Sequence, residues 1–162
     1  MMIGILSSIA IPQFQVSIDK ARQKEATSLI NGYIKAAQLH YLELGTKALN
    51  SGDLSAFVAV LSCEENDRNV APNPIYCKNN TPKNIGYPMG HDSWYIPSGY
   101  YRVFMSWSNP NGEGSNIFFR ATPSSEYYPQ GYGVSACYNM KTEVVRVQEM
   151  NQRGSWVPIV QC

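Results

Sequence analysis

Two hydrophobic patterns divide the first 44 residues of the chain. The opening stretch, MMIGILSSIAI, is a nearly unbroken run of eleven apolar or small residues, and Pro12 follows it. From residue 26 onward, apolar residues recur at the three- and four-residue spacings of one helix face: Ala26, Leu29, Ile30, Tyr33, Ala37, Tyr41 and Leu44. The pattern predicts one long helix that is apolar at its start, amphipathic afterwards and ended by Gly45.

The length of this helix indicates that part of it projects from the protein. Residues 12–44 would span roughly 50 Å at about 1.5 Å per residue, whereas a compact globule of this chain length is only about 40 Å across. We therefore predict a protruding hydrophobic helix over residues 1–25 and a globular head over residues 26–162. A protruding apolar surface requires lipid or protein partners.

A long connector is predicted between the helix and the next regular elements, over residues 45–98. Its first part contains one predicted short helix, with Asp53 as the N-cap. The residues on one face of that helix would be Leu54, Phe57, Val58 and Leu61. The remainder is dense in Pro, Asn and Gly, which predicts turns without regular structure.

From residue 99 the hydrophobic period changes from that of a helix to that of a strand. Tyr101, Val103, Met105 and Trp107 alternate with the intervening residues, as on one face of a strand. Further strands are predicted within residues 115–123, 131–139, 143–150 and 155–160. The predicted fold is α+β: the C-terminal half of the long helix packs on an antiparallel sheet of four to five strands.

The chain has four cysteines, Cys63, Cys77, Cys137 and Cys162, and no pair has the C-x-x-C spacing of a metal site. Disulfides formed in an oxidising compartment are the better interpretation. Three pairings are possible. We favour Cys63 with Cys77 and Cys137 with Cys162, because each closes a local loop, and each would contribute about 3 kcal/mol in the loop-entropy model.

Composition and charge exclude several classes of function. The formal net charge of +1 provides no electrostatic footprint for nucleic acid. His40 and His91 have no recognisable nucleophile or carboxylate arrangement around them, so we expect neither an enzyme nor a bound metal or cofactor. Asn79 begins a glycan acceptor pattern, N-x-T, although short patterns of this kind also arise by chance.

The N-terminal sequence resembles a known family. IGILSSIAIPQFQ, with Gly4 two turns before Pro12 and charged residues following at once, resembles the conserved N-terminal helix of type IV pilins and of the pseudopilins of type II secretion. The next run, KARQKEATSLINGYIKAAQLHYLELG, is similar to pilin-like proteins of the cyanobacterial type. The match covers about a quarter of the chain closely; the remainder agrees only in layout.

The resemblance implies a structural subunit of an extracellular type IV pilus or pilus-like filament, with adhesion, motility or DNA uptake as downstream roles. The expected partners are identical subunits in a helical filament, the inner membrane before assembly, and the pilus assembly machinery. The residues expected to pack in the filament core are Gly4, Ile5, Leu6, Ile9, Ile11 and Pro12. In the assembled fibre we expect residues 1–11 to be partly unwound or kinked, because Pro12 cannot donate a hydrogen bond to Ser8.

The sequence departs from the family at its start. The processing site, the N-terminal Phe and the acidic residue one turn later do not occur, and about ten residues would have to precede Met1 to supply them. We expect an incomplete N-terminus rather than a relative that cannot assemble. The alternative functions are a minor pilin or pseudopilin, or a membrane-anchored binding head that never polymerises.

Aromatic residues are frequent in the C-terminal half. We expect most of them to cover the sheet or to fill its contact with the helix. Some would be exposed and would serve subunit contacts or adhesion. The residues concerned are Trp94, Tyr95, Tyr127, Tyr128, Tyr132 and Trp156.

Overall fold

The computed structural model describes residues 2–62, 83–84, 93–96, 98–107, 114–125 and 128–162, with side chains from residue 13 onward except at 61–62, 83–84 and 95. The elements, in chain order, are α1 Met2–Leu44, α2 Ser51–Ser55, β1 Leu61–Ser62, β2 Lys83–Asn84, β3 Ser93–Tyr95, β4 Tyr101–Trp107, β5 Asn116–Pro123, β6 Tyr132–Asn139 and β7 Val145–Arg153.

The long helix α1 is continuous over 43 residues. Its backbone is helical on both sides of Pro12, so the segment before the proline is not unwound in the single chain; unwinding in an assembled fibre stays a prediction. The helix ends as predicted at Gly45, which has a φ of 68° and donates its N–H to the carbonyl of Tyr41 at 2.8 Å. Glycine adopts this left-handed conformation without a steric penalty.

The predicted α+β fold is confirmed. Five antiparallel strands form one sheet in the order β3-β4-β5-β6-β7, and α1 packs on one face of it. The short strands β1 and β2 pair separately. Sequential antiparallel order is that of a simple meander, in which each strand pairs with its neighbours in the chain.

The identity of the fifth strand was predicted wrongly. Residues 155–160 are not a strand, and β3, within the predicted irregular connector, takes the fifth place by pairing with β4. Trp94 explains why this short segment joins the sheet. Its ring packs edge-on against Tyr33 of the helix at 5.2 Å between centroids, and its indole N–H donates to the Tyr33 hydroxyl at 3.3 Å.

The predicted alternation along β4 is confirmed at its first three positions. Tyr101, Val103 and Met105 are buried towards the helix, whereas Trp107 is only partly buried. The helix side of the core is completed by residues of β5 and β6: Ile117, Phe119, Ala121, Val134, Ala136 and Tyr138. Burial of large apolar side chains contributes about 1.5 to 3 kcal/mol each.

The stripe predicted on the helix is largely confirmed, with one error at its end. Ala26, Ile30, Tyr33 and Ala37 are buried, and Leu29 and Tyr41 pack partly against the core. Leu44 is 60% exposed, because it lies in the last turn of α1.

The C-terminal segment covers the opposite face of the sheet. The disulfide predicted between Cys137 and Cys162 is present and joins this segment to β6. Val160 is buried next to Phe118, and its N–H donates to the buried Ser135 hydroxyl at 3.1 Å. Strands β5 and β6 are therefore buried on both faces.

The short helix α2 has a different N-cap from the predicted one. Asn50 is the cap, and its side chain accepts the N–H of Asp53 at 3.0 Å. The Asp53 side chain in turn accepts the N–H of Leu49 at 2.7 Å. Each of the two side chains thus accepts one backbone N–H at the start of α2. Leu61, predicted on the face of this helix, belongs to β1.

Gly133 provides a test of how closely the C-terminal segment packs on β6. A Cβ at this position would overlap Val157 Cγ2 and lie 3.1 Å from the carbonyl oxygen of Ala121. We expect Gly133→Ala to lower the free energy of unfolding by about 1 to 3 kcal/mol, measured by urea denaturation, because the core would be overpacked.

The matched control is Gly32→Ala in the middle of α1, where a Cβ would meet nothing within 4 Å. We expect this variant to be more stable than the parent by about 1 kcal/mol, since alanine favours a helix interior over glycine. A Gly133→Ala protein as stable as the parent would contradict the packing described.

Candidate functional site

The candidate functional site is the place where α1 leaves the head. Residues 13–17 are all exposed, with Phe14 at 70%, whereas Asp19 is completely buried. We call Asp19, Gln23, Tyr128 and Arg153 the junction, and α1 residues 2–18 the stalk. Contact with the head thus begins at Asp19, upstream of the predicted boundary after residue 25.

Asp19 is the acceptor at the centre of the junction. The Tyr128 hydroxyl donates to Oδ1 and an Arg153 guanidinium nitrogen donates to Oδ2, both at 2.6 Å. The Gln15 amide, one turn earlier in the helix, donates to Oδ1 at 3.1 Å. A buried carboxylate is costly unless it is paired and hydrogen-bonded, and both conditions are met here.

The hydrogen bonds favour the charged form of Asp19. Burial alone raises the pKa of this carboxyl, but the donors Tyr128, Arg153 and Gln15 outweigh burial, so the pKa lies below its ordinary value. Burial and the bond to Asp19 raise the pKa of Tyr128 to about 12. The bond to Asp19 likewise raises the pKa of Arg153. The junction is therefore a charged carboxylate held by two permanent donors at neutral pH.

Gln23, one turn after Asp19, forms hydrogen bonds with the sheet where the pairing of β6 and β7 is irregular. The register between β6 and β7 shifts between Tyr132 and Val134, and such an irregularity leaves backbone groups without ladder partners. The buried Gln23 amide nitrogen donates at this place to two carbonyls, that of Gly133 at 2.9 Å and that of Met150 at 2.8 Å. One helix side chain thus bonds both strands.

Charged side chains surround the junction on its solvent side. Lys24 forms an ion pair with Glu149 of β7 at 2.9 Å, and Thr27 donates to the same carboxylate at 2.9 Å. Burial raises the pKa of Glu149, but the hydrogen bonds from Lys24 and Thr27 and the charge of Lys24 lower it by more. The pKa of Glu149 therefore lies below its ordinary value. Because Lys24 is 71% exposed, this pair contributes little beyond orientation.

An arginine and two tyrosines fix the other side of the helix. The Arg22 guanidinium lies 4.0 Å from the ring centroid of Tyr100 and 5.1 Å from that of Tyr128. Cation–π contacts of this kind are worth about 0.5 to 2 kcal/mol. The helix is therefore held at Asp19, Arg22 and Gln23, on successive sides of one turn, which fixes both its tilt and its rotation.

His40 lies on the same helix as Asp19 and Gln23, outside the junction. His40 is buried, with Nδ1 2.9 Å from the carbonyl of Thr46 and Nε2 3.9 Å from Asp53, so its role is to tie α1 to the following loop. Within the described ranges, no three His, Cys, Asp or Glu residues are placed to hold a metal ion.

The residues predicted for filament assembly all lie on the stalk. Gly4, Ile5, Leu6, Ile9, Ile11 and Pro12 belong to α1, and their side chains lie outside the described part of the structure. Cys63, Cys77 and Asn79 also lie outside the described residues, as does His91. In the part of the chain that the structure describes, no helix contains a window apolar enough for a membrane span.

Four residues of the site were not predicted as functional: Asp19, Gln23, Tyr128 and Arg153. Asp19 and Gln23 could have been identified from the sequence. Positions 19 and 23 extend the buried stripe at 26, 30, 33 and 37 by the same three- or four-residue steps. A polar residue that continues an apolar stripe is a candidate for a buried, paired group. No comparable sequence pattern marks Tyr128 and Arg153, the two residues that the head contributes.

Asp19 predicts a loss of stability in acid. Because its pKa is lower in the folded state than in the unfolded chain, its contribution is complete above about pH 4 and is lost as the pH falls through the folded-state value. We expect Asp19→Asn to reduce the free energy of unfolding at pH 7 by about 2 to 3 kcal/mol, because the amide removes the negative charge and one of the two acceptor oxygens, so that either Tyr128 or Arg153 faces an NH2 group.

The measurement is urea denaturation at pH 7 and at pH 3. The difference in the free energy of unfolding between Asp19→Asn and the parent should be smaller at pH 3 than at pH 7. The control Glu43→Gln changes an exposed carboxylate in the same helix and should be as stable as the parent at both pH values. An Asp19→Asn penalty that is the same at both pH values would contradict the assignment.

Gln23→Met would remove the amide donor from the buried carbonyl of Gly133 and from the half-buried carbonyl of Met150, which would keep only the Lys20 ammonium at 3.5 Å. We expect it to lower the free energy of unfolding by about 1 to 3 kcal/mol, measured by thermal or urea unfolding. Gln38→Met, at a half-buried position of the same helix, serves as the control and should cost less than about 0.5 kcal/mol. Equal stabilities of the two variants would argue against the described role of Gln23.

Comparison with known proteins identifies no relative: no protein-family model, no curated protein and no solved structure matches this chain.

Proposed function

We propose that this protein is the structural subunit of an extracellular type IV pilus or pilus-like filament. The observation that carries the proposal is a helix held at one end by a polar junction and exposed beyond it. Residues 13–17 have left the head, and the helix continues for another eleven residues whose sequence is almost entirely apolar or small. The resemblance of this stretch to type IV pilins supports the same conclusion.

The driving force for assembly would be burial of the stalk against the stalks of other copies. The stalk, α1 residues 2–18, is about 25 Å long at 1.5 Å per residue. Each isoleucine or leucine moved from water into such a contact contributes about 1.5 to 3 kcal/mol. Apolar burial is non-directional, so the geometry of the filament must be set elsewhere in the subunit.

The junction and the neighbouring Arg22 would supply that geometry. Because Asp19, Arg22 and Gln23 fix the tilt and rotation of the helix, every subunit presents its stalk to its neighbours at the same angle to its head. Head-to-tail contacts repeated at one angle generate an open helical polymer when the rotation between successive subunits does not close a ring. The polar head remains in water outside the apolar core.

The setting of such a subunit follows from the same features. The disulfide Cys137–Cys162 suits an oxidising, extracellular location. Before assembly the apolar stalk would wait in the inner membrane, and the pilus assembly machinery would extract it. Adhesion, motility or DNA uptake would then be properties of the completed fibre.

The proposal is tested by expressing the protein in a cell that has the pilus assembly machinery and by looking for filaments in the electron microscope. We expect Ile9→Lys to abolish filaments, because a charge would be buried in the core. The matched control is Ile159→Lys, the same change at a position of the head that is 44% exposed, and we expect it to assemble normally.

Other outcomes separate the alternatives. Filaments that contain this chain in few copies would identify a minor pilin or a pseudopilin. Discrete detergent-solubilised monomers and no filaments would point to a membrane-anchored binding head. Filaments that form equally well with Ile9→Lys would contradict packing through the stalk.

A further inference from the structure

A cleft on the sheet face opposite the helix contains a cationic and aromatic lining. Its volume is about 320 Å³, within the range of small-ligand sites. The floor and one wall come from β4 and β5, and the other wall comes from the C-terminal segment. The lining residues with charged, aromatic or hydroxyl groups for a ligand include Arg102, Phe104, Arg120, Ser125, Ser155 and Trp156.

The two arginines are held by the strand register and by a ring between them. Phe104 on β4 lies opposite Arg120 on β5. The Phe104 ring centroid is 4.7 Å from the Arg102 guanidinium and 5.4 Å from that of Arg120. Their side chains are therefore ordered before any ligand binds.

Arg120 keeps donor capacity and charge for a ligand. Its guanidinium donates to the carbonyl of Val157 at 3.3 Å, which uses one of its five N–H groups. Among the described residues it forms no ion pair, and no acidic residue is among those that line the cleft. The positive charge of Arg120 in this cleft therefore favours binding of an anionic ligand.

Trp156 stands at the rim of the cleft on an anchored segment. It is 82% exposed, the highest value among the large apolar side chains in the described ranges. On one side, Gly154 has a φ of 127° and donates its N–H to the carbonyl of Gly131 at 3.0 Å. On the other side, Val157 is buried. The indole is thus presented to solvent by a backbone fixed at both ends.

We propose that this cleft binds an acidic sugar, a pyranose ring that carries a carboxylate. Arg120 would donate to the carboxylate, for which the planar guanidinium is the best-matched partner. The face of the indole is electron-rich and would contact the C–H groups of the sugar ring. The exposed hydroxyl groups of Ser125 and Ser155 would bond the ring hydroxyls.

The observations favour a sugar over a nucleic acid. Non-specific binding of single strands requires a positively charged groove that follows the phosphate backbone, with several aromatic platforms. Here the cleft is of monosaccharide to disaccharide size and its lining contains two arginines and two aromatic rings, and the whole chain carries a formal charge of only +1. This binding activity goes beyond the proposed filament and does not depend on it.

The experiment is isothermal titration of the full chain in a sugar-free detergent with five probes. Glucuronate and glucose differ by the carboxylate, acetate supplies the charge without the ring, and inorganic phosphate and an oligothymidylate report on other anions. We expect glucuronate to bind with a Kd below about 10 mM, and glucose and acetate to bind at least about tenfold more weakly.

Variants assign the binding to the cleft. We expect Arg120→Gln and Trp156→Ala each to weaken glucuronate binding by about tenfold. Trp156→Phe, which keeps an aromatic face, should lose no more than about threefold. The control is Arg146→Gln on β7, whose side chain donates to the carbonyl of Gln161 away from the cleft and whose loss should leave binding unchanged. Unchanged thermal unfolding confirms that each variant is folded.

Three results would overturn the proposal. The first is the absence of glucuronate binding at about 10 mM. The second is glucuronate binding that survives both Arg120→Gln and Trp156→Ala. The third is tighter binding of phosphate or oligothymidylate than of glucuronate, which would identify the cleft as a phosphate or nucleic-acid site instead.

Discussion

The structure depends on a buried carboxylate in the middle of a long helix. Asp19 would be among the most costly groups to bury if it stood alone, yet it is enclosed by donors from its own helix and from the far end of the chain. Asp19 and Arg153 are 134 residues apart in sequence. The Asp19–Arg153 bond can form only when the end of the last strand is in place, so this bond couples the orientation of the stalk to completion of the head.

The hydrogen bonds of Asp19 and Gln23 fix the direction of the helix, which apolar packing alone does not do. The stripe from Ala26 to Ala37 holds the helix on the sheet, but a smooth apolar contact tolerates small slides and rotations. The bonds of Asp19 and of Gln23 are directional, and they lie at the last point of contact before the helix enters solvent. An angular error here would be amplified along the stalk, which is why specificity matters most at this turn.

Much of the fold could be predicted from the sequence, because periodicity reports on burial. The change from helical to alternating spacing located α1 and four of the five strands, and the cysteine that ends the chain indicated a fastened C-terminal segment. Local pattern failed where tertiary contact decided the outcome. Three residues around Trp94 became a strand through the contact of Trp94 with Tyr33, whereas residues 155–160, which are mostly apolar, cover the outer face as irregular chain.

The candidate site was harder to predict than the fold. The apolar stalk is visible in the sequence because its composition is extreme, but the junction consists of ordinary polar residues whose importance comes from burial. Tyr128 and Arg153 lie in a turn and at the end of an exposed strand, and neither position differs in pattern from its neighbours. The cleft on the outer face likewise joins residues of β4, β5 and the C-terminal segment, whose proximity follows from sheet register and from the disulfide-linked return of the chain.

The central claim is that a stalk fixed by its junction finds its apolar partners in other copies of itself. The most direct measurement is amide hydrogen exchange of the full-length protein, compared between dispersed and assembled material. Residues 19–40 should be protected in both states, whereas residues 2–16 should exchange rapidly when dispersed and become protected on assembly. Protection of residues 2–16 that is already complete in the dispersed protein would contradict the claim.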